Sequence, residues 1–167
     1  MAQVGGAKYR CIVMKAKGPA RFDLVTIRRL AGGKTFERGK EYFEDDCVYK
    51  ITTADNYAQG LEAGVVFANS KGMLRDRVAS LREANIYERH TYRHFLGQPW
   101  IVSQEDGTVR SETSFFVARI MRDGTTDVYA TGQYVDIYSL SGEDPKLRER
   151  IVVCDSTRFD TLLALPL

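Results

Sequence analysis

The order of patterns along the chain predicts an α+β fold, with helices segregated onto one face of a curled antiparallel sheet. Three observations carry that reading. Residues 109–122 (VRSETSFFVARIMR) and 126–139 (TDVYATGQYVDIYS) are two runs rich in β-branched and aromatic side chains, and Asp123-Gly124 between them is a hairpin signal. Each arm of about thirteen residues spans about 40 Å, roughly twice an ordinary strand, and a strand that long crosses a strongly bent sheet. Helix-like patterns come early in the chain, and strand-like runs joined by turn signals fill the rest.

Taken in order, Tyr9 to Met14 reads as a short strand that Gly18-Pro19 interrupts. Phe22 to Leu30 reads as a short helix, closed by Gly32-Gly33. Thr35 is placed to cap a second, FERGKEYF, with Phe36, Lys40 and Phe43 along one side. CVYKITT, from Cys47 to Thr53, alternates as a half-buried strand should, and AGVVFA at 63–68 is apolar enough for a second strand or a buried connector. Ser70 caps the clearest helix. There Met73, Leu74, Val78 and Leu81 form an apolar stripe, opposite Lys71, Arg75, Asp76 and Arg82. A strand follows at about Tyr92 to Val102, bent or placed at an edge by Pro99. Asp106-Gly107 signals the next hairpin and leads into the long arms.

In the first long arm, Phe115, Val117 and Met121 point one way and Phe116, Ala118 and Ile120 the other, so both faces of the sheet want cover. The chain's own helices supply one cover, and another subunit is the expected second. Gly132 sits where a bend or bulge lets the sheet curl. A turn at Gly142 to Pro145 leads to a strand that puts Leu147, Ile151 and Val153 on one face and Arg148 and Arg150 on the other. The apolar end, DTLLALPL, is expected to tuck against the body or a neighbour.

A chain of 167 residues, 44% hydrophobic, is long enough for one domain with a real core. MAQVGGAKYR lacks the apolar centre of a signal peptide, and no run of apolar residues is long enough to span a bilayer. The expectation is a soluble, cytoplasmic protein. Three cysteines, at 11, 47 and 154, fit reduced thiols better than a disulfide framework. The net charge of +2 hides an asymmetry: residues 1–40 hold ten bases and two acids (10 − 2 = +8), and the remainder fourteen and twenty (14 − 20 = −6). The basic start, with Tyr9, Phe22 and Phe36, admits a nucleic-acid reading beside the simpler one of a solvated face.

No catalytic constellation stands out. His90 and His94 would share a helix face and could bind a metal with Glu88. On a strand they are about 13 Å apart, too far to hold one ion, and read as structural or interface residues. Asp45-Asp46 and Glu105-Asp106 read as solvated turn carboxylates. The serines and cysteines show no nucleophile elbow, and Gly32-Gly33 precedes no phosphate-loop spacing. A binder or enzyme using the hollow of the curled sheet is a further reading, which requires converging polar groups in a pocket.

From about Asp45 onward, four segments carry a more specific signal. DDCVYKITTADNYAQGLEAGVVFA, MLRDRVASLREANIYERHTYRH, ARIMRDGTTDVYATGQYVD and RERIVVCDSTRFDTLLALPL resemble the small (beta) subunits of aromatic-ring-hydroxylating Rieske dioxygenases over about three quarters of the chain. The resemblance implies a cone-shaped fold of the nuclear-transport-factor-like, SnoaL-like type. It implies a hexamer of three large (alpha) and three small subunits. By the same resemblance the large subunit would hold a Rieske 2Fe-2S cluster and a mononuclear iron, receive electrons from NADH through a separate reductase, and dihydroxylate terephthalate. This chain would then be structural, with no catalytic, cofactor or metal residues, meeting its partner through Tyr87, Arg89, His90, Tyr92, Arg93 and His94 and the sheet's outer face.

Composition agrees, because the two iron centres together need four histidines and this chain has two. The start departs from the pattern, since these small subunits open with a longer amphipathic helix. TIRRLAGGKTFERGKEYFEDD instead resembles the segment before the motif of SWIM zinc fingers, without that motif's ligands. The expectation is an atypical basic segment over 1–44 joined to a small-subunit-like domain over 45–167.

Overall fold

The computed structural model describes residues 42–83, 90–142 and 145–157. The chain forms β1 (Phe43–Thr53), α1 (Ala54–Ala58), β2 (Val66–Ala68), α2 (Lys71–Glu83), β3 (His90–Leu96), β4 (Trp100–Glu105), β5 (Thr108–Met121), β6 (Thr126–Ser139) and β7 (Lys146–Cys154). The strands make one seven-stranded sheet in the order β2-β1-β7-β6-β5-β3, with β4 also on β5. It is curled, as the sequence predicts, and unclosed. All pairs are antiparallel except β1 with β7, which run parallel.

The long hairpin is present, with fourteen residues in each arm. At its tip the Gly124 amide bonds to the Met121 carbonyl at 3.1 Å, and Gly124 takes a left-handed φ of 88° that a side chain would strain. Asp106 and Gly107 both have positive φ, 46° and 73°, the twist a two-residue hairpin needs.

Curvature is placed differently from the expectation. Ladder registers slip between Val117 and Ala118 on β5, where Tyr129 is the extra residue of β6, and between Ile137 and Tyr138 on β6, where Arg148 is extra on β7. Each slip bends and twists the sheet. Gly132 lies in regular ladder between Phe115 and Cys154. A Cβ there would collide with the Val153 carbonyl and come within 3.0 Å of the Phe115 ring, so the glycine permits close approach of neighbouring strands.

The core sits on the sheet's inner face. Tyr49, Ile51, Val109, Val117, Tyr138 and Val152 are wholly buried there, and Leu74 of α2 packs over them. Burying apolar area at about 25 cal/mol per Å² makes this the main source of stability. The Met73 amide bonds to Ser70 Oγ at 3.3 Å, which supplies the expected cap. Met73 itself, expected in the apolar stripe, is 44% exposed, and the side chains at 78 and 81 fall outside the described set.

Other expectations are corrected. The strand expected over Tyr92 to Val102 is two strands, broken at 97–99, because proline cannot donate a ladder hydrogen bond. Both strands lie on the same edge of β5. Phe43, assigned to a helix, starts β1, and Asp45-Asp46, assigned to a turn, lie within it. The Arg148 bulge reverses the facing of β7, so Arg150 points into the core and joins Leu147 and Val152. The elements expected before residue 42, the linker at 84–89 and the tail beyond 157 lie outside the described residues.

Candidate docking face

Alternation divides β3. His90, Tyr92 and His94 turn to the inner side and are half-buried, while Thr91, Arg93 and Phe95 face outward and are exposed. On the inner side the rings form a row. His90 and Tyr92 centroids are 4.7 Å apart, Tyr92 meets His94 edge-on at 6.3 Å and stacks on Tyr129 at 4.7 Å, and Arg119 lies over Tyr129 at 5.4 Å. The Tyr92 ring separates the two imidazoles, which therefore do not share a metal position. Among the described residues no three histidine, cysteine or acidic side chains gather around a common point.

Deeper on the same face is an ion pair. Asp136 Oδ1 accepts from Arg150 Nε at 2.8 Å, and Oδ2 accepts from Arg150 Nη2 at 2.8 Å and from the Tyr138 hydroxyl at 2.7 Å. The guanidinium stacks on Tyr134 at 4.6 Å, and Tyr134 stacks on Phe115 at 4.5 Å. Burial opposes the charge on Arg150, but the charge and hydrogen bonds of Asp136 prevail and raise its pKa. Burial, aided by the Arg150 charge, lowers the pKa of His94. It also raises the thiols of Cys47 and Cys154 to about 11 and about 12, which leaves them protonated and inert near neutral pH. The paired carboxylate and protonated thiols fit packing better than catalysis.

An open polar cleft of about 360 Å³ lies elsewhere, lined by Glu44, Asp45, Asp46, Ser139, Ser141, Gly142 and Lys146. Asp45 there pairs with Lys71 at 3.2 Å and is itself almost fully solvated. Of the other carboxylate pair, Glu105 ends β4 and Asp106 forms the turn.

The outer face presents a different chemistry. In the ladders Trp100 stands opposite Glu112, Phe95 opposite Phe116, and Arg93 and Val128 on either side of Ala118. From position 112 to position 118 of β5 this makes a stripe about 20 Å long, with Trp100 at one end, Phe95, Phe116 and Val128 toward the other, and Ser114 and Gln133 paired between them. Trp100 is 72% exposed, Val128 62% and Phe95 53%, and the Phe95 and Phe116 rings meet edge to face at 5.7 Å. Polar groups lie within and beside it: Gln133 donates to Glu112 at 2.7 Å, and Arg110 lies 3.7 Å from Glu112.

Of the six interface residues expected from sequence, the structure places Arg93 on this stripe and His90, Tyr92 and His94 on the inner side. Tyr87 and Arg89 fall outside the described residues. Sequence reading found Phe116 as a side chain wanting cover. It missed Trp100, whose only signal was an aromatic residue directly after Pro99.

Comparison with known proteins settles what kind of chain carries this face. Residues 30–161 match the family model of the ring hydroxylating beta subunit. Over 131 residues the chain is 51% identical to the terminal oxygenase component subunit beta 1 of terephthalate 1,2-dioxygenase from Comamonas sp, covering 78% of this chain and 85% of that one. It is 40% identical to the small subunit of anthranilate 1,2-dioxygenase from Burkholderia cepacia, covering 78% and 81%. A crystal structure from Novosphingobium aromaticivorans, assigned as the beta subunit of an aromatic-ring-hydroxylating dioxygenase, superposes with a TM-score of 0.75 at 37% identity, over 86% of this chain and 95% of that chain. The chain belongs to the ring hydroxylating beta subunit family.

Proposed function

We propose that this chain is the structural small subunit of a terephthalate-hydroxylating dioxygenase, and that it holds the large subunits in register. The observation that carries the reading is the stripe on the outer face, in a member of a family defined as one subunit of a larger enzyme. Exposed aromatic and apolar side chains gathered among polar groups on one face mark a protein interface. Identity of 51% to a terephthalate dioxygenase beta subunit supports the substrate.

In this reading the larger partner carries the Rieske 2Fe-2S cluster and the mononuclear iron, and electrons from NADH reach it through a reductase without entering this chain. Three large and three small subunits form the hexamer. Arg93 meets the partner directly, and His90, Tyr92 and His94 brace β3 from behind. Tyr87 and Arg89 precede the same strand and belong to the same interface. The domain takes in residues 45–167, with the basic segment 1–44 ahead of it, although the family match already begins at residue 30. No helix among the described residues is long and apolar enough to cross a membrane, which fits a cytoplasmic enzyme.

Co-expression with the matching large subunit is expected to give a single hexameric peak on size-exclusion chromatography, with all iron accounted for by the large subunit. Separate elution of the two chains at micromolar concentration, or stoichiometric iron in the isolated small chain, would refute the reading.

A further inference from the structure

We propose that Trp100 is the anchor of the contact with the large subunit, its indole inserting into an apolar recess of that partner. The inference rests on the assembly reading above and adds to it the residue that carries the affinity. Among the described residues β4 pairs only with β5, and all six of its residues are exposed. Trp100, Ile101 and Val102 therefore stand together at an edge whose outward backbone groups meet no other strand among the described residues. Folded proteins blunt such edges with charge, proline or a cover. Pro99 and Glu105 flank this strand, but its apolar start is bare.

The surroundings fit an anchor with its rim. Binding energy concentrates in central aromatic residues, above all tryptophan, ringed by polar contacts that exclude water. Here Trp100 and the Phe95–Phe116 pair supply the centre, and Arg93 and the Arg110–Glu112 pair supply charge at the two ends. About 20 Å by two strand widths is on the order of 200 Å², about a quarter of what one partner buries in a standard interface. That is the size of a centre, with the rim making up the rest.

A second copy of this chain related by a two-fold axis is a poor occupant. A two-fold contact must be self-complementary, and this stripe lies on the outer side of a curled sheet with its rings protruding, so an identical surface offers no recess. Another set of exposed apolar residues, Val65, Phe67 and Met73 by the β2 edge, has no tryptophan or arginine among them. It serves as the control.

The test measures the affinity of full-length chains for the co-expressed large subunit, after dissociation and re-mixing. Trp100→Ala is expected to weaken binding about 30-fold or more, Trp100→Phe to recover most of the loss, and Phe67→Ala to change it less than about threefold. Because Trp100 is exposed in the free chain, all three are expected to melt with the wild type. The proposal is overturned if Trp100→Ala binds within about threefold of wild type, or if Phe67→Ala loses as much. A wild-type chain that never binds overturns the assembly reading along with it, which is a different result.

Discussion

Arg150 and Asp136 show how far one pair of side chains shapes the inner face. Both are buried, at 4% and 0% exposure, and each of the two carboxylate oxygens accepts a hydrogen bond from the guanidinium. A buried pair gains little net stability over apolar residues of the same shape, but removing one member strands the other's charge. Arg150→Met is therefore expected to cost about 3–5 kcal/mol in denaturant unfolding, and the double change Arg150→Met with Asp136→Leu to recover much of it. His94 is the pH-sensitive group at this scale. Burial and the Arg150 charge hold its folded pKa below the ordinary 6.5. Between the two values the unfolded chain binds the extra proton, so this contribution to stability is full above pH 6.5 and declines as pH falls toward the folded pKa. The melting temperature is expected to drop as pH falls below 6.5, with a shallower slope in His94→Gln. Equal slopes would remove His94 from the account.

Among the elements, the β5–β6 hairpin sets the geometry of the others. It was legible because β-branched and aromatic residues run long on both sides of an Asp-Gly turn, a local signal. Its bulges were not legible, since the extra residues Tyr129 and Arg148 are defined only by what their partner strands do. The cost of missing the second one was the wrong facing of Arg150. Gly132 was recognised as a special position for the wrong reason. It is required by the approach of the β7 backbone, and Gly132→Ala is expected to cost about 1–3 kcal/mol in thermal unfolding because the Val153 carbonyl cannot rotate away as a side chain would. An unchanged melting temperature would show that the strands relax apart freely.

For the whole molecule, the unclosed sheet separates two environments. The inner face is filled by tyrosines, an ion pair and aliphatic side chains under α2. The outer face keeps aromatic groups in solvent. A surface of this kind has its explanation in an assembly, which is why the predictions that bear on function are measured on complexes while those on single buried residues are measured on the chain alone. Strand alternation sorted the described interface candidates: Arg93 and His94 are neighbours in sequence and lie on opposite sides of the sheet.

By itself the sequence determined the curled α+β class, the long hairpin and its turns, the capped helix, and, through the segments around LREANIYERHTYRH, membership of a dioxygenase subunit family. These rest on short-range patterns, or on whole stretches of identity, that need no knowledge of which strands meet. Only the tertiary structure decided the parallel pairing of β1 with β7, the split of β3 from β4, the burial of Arg150, and the exposure of Trp100 beside Phe95 and Phe116. Those depend on register between strands far apart in the chain, and a shift of one residue there exchanges every inward side chain for an outward one.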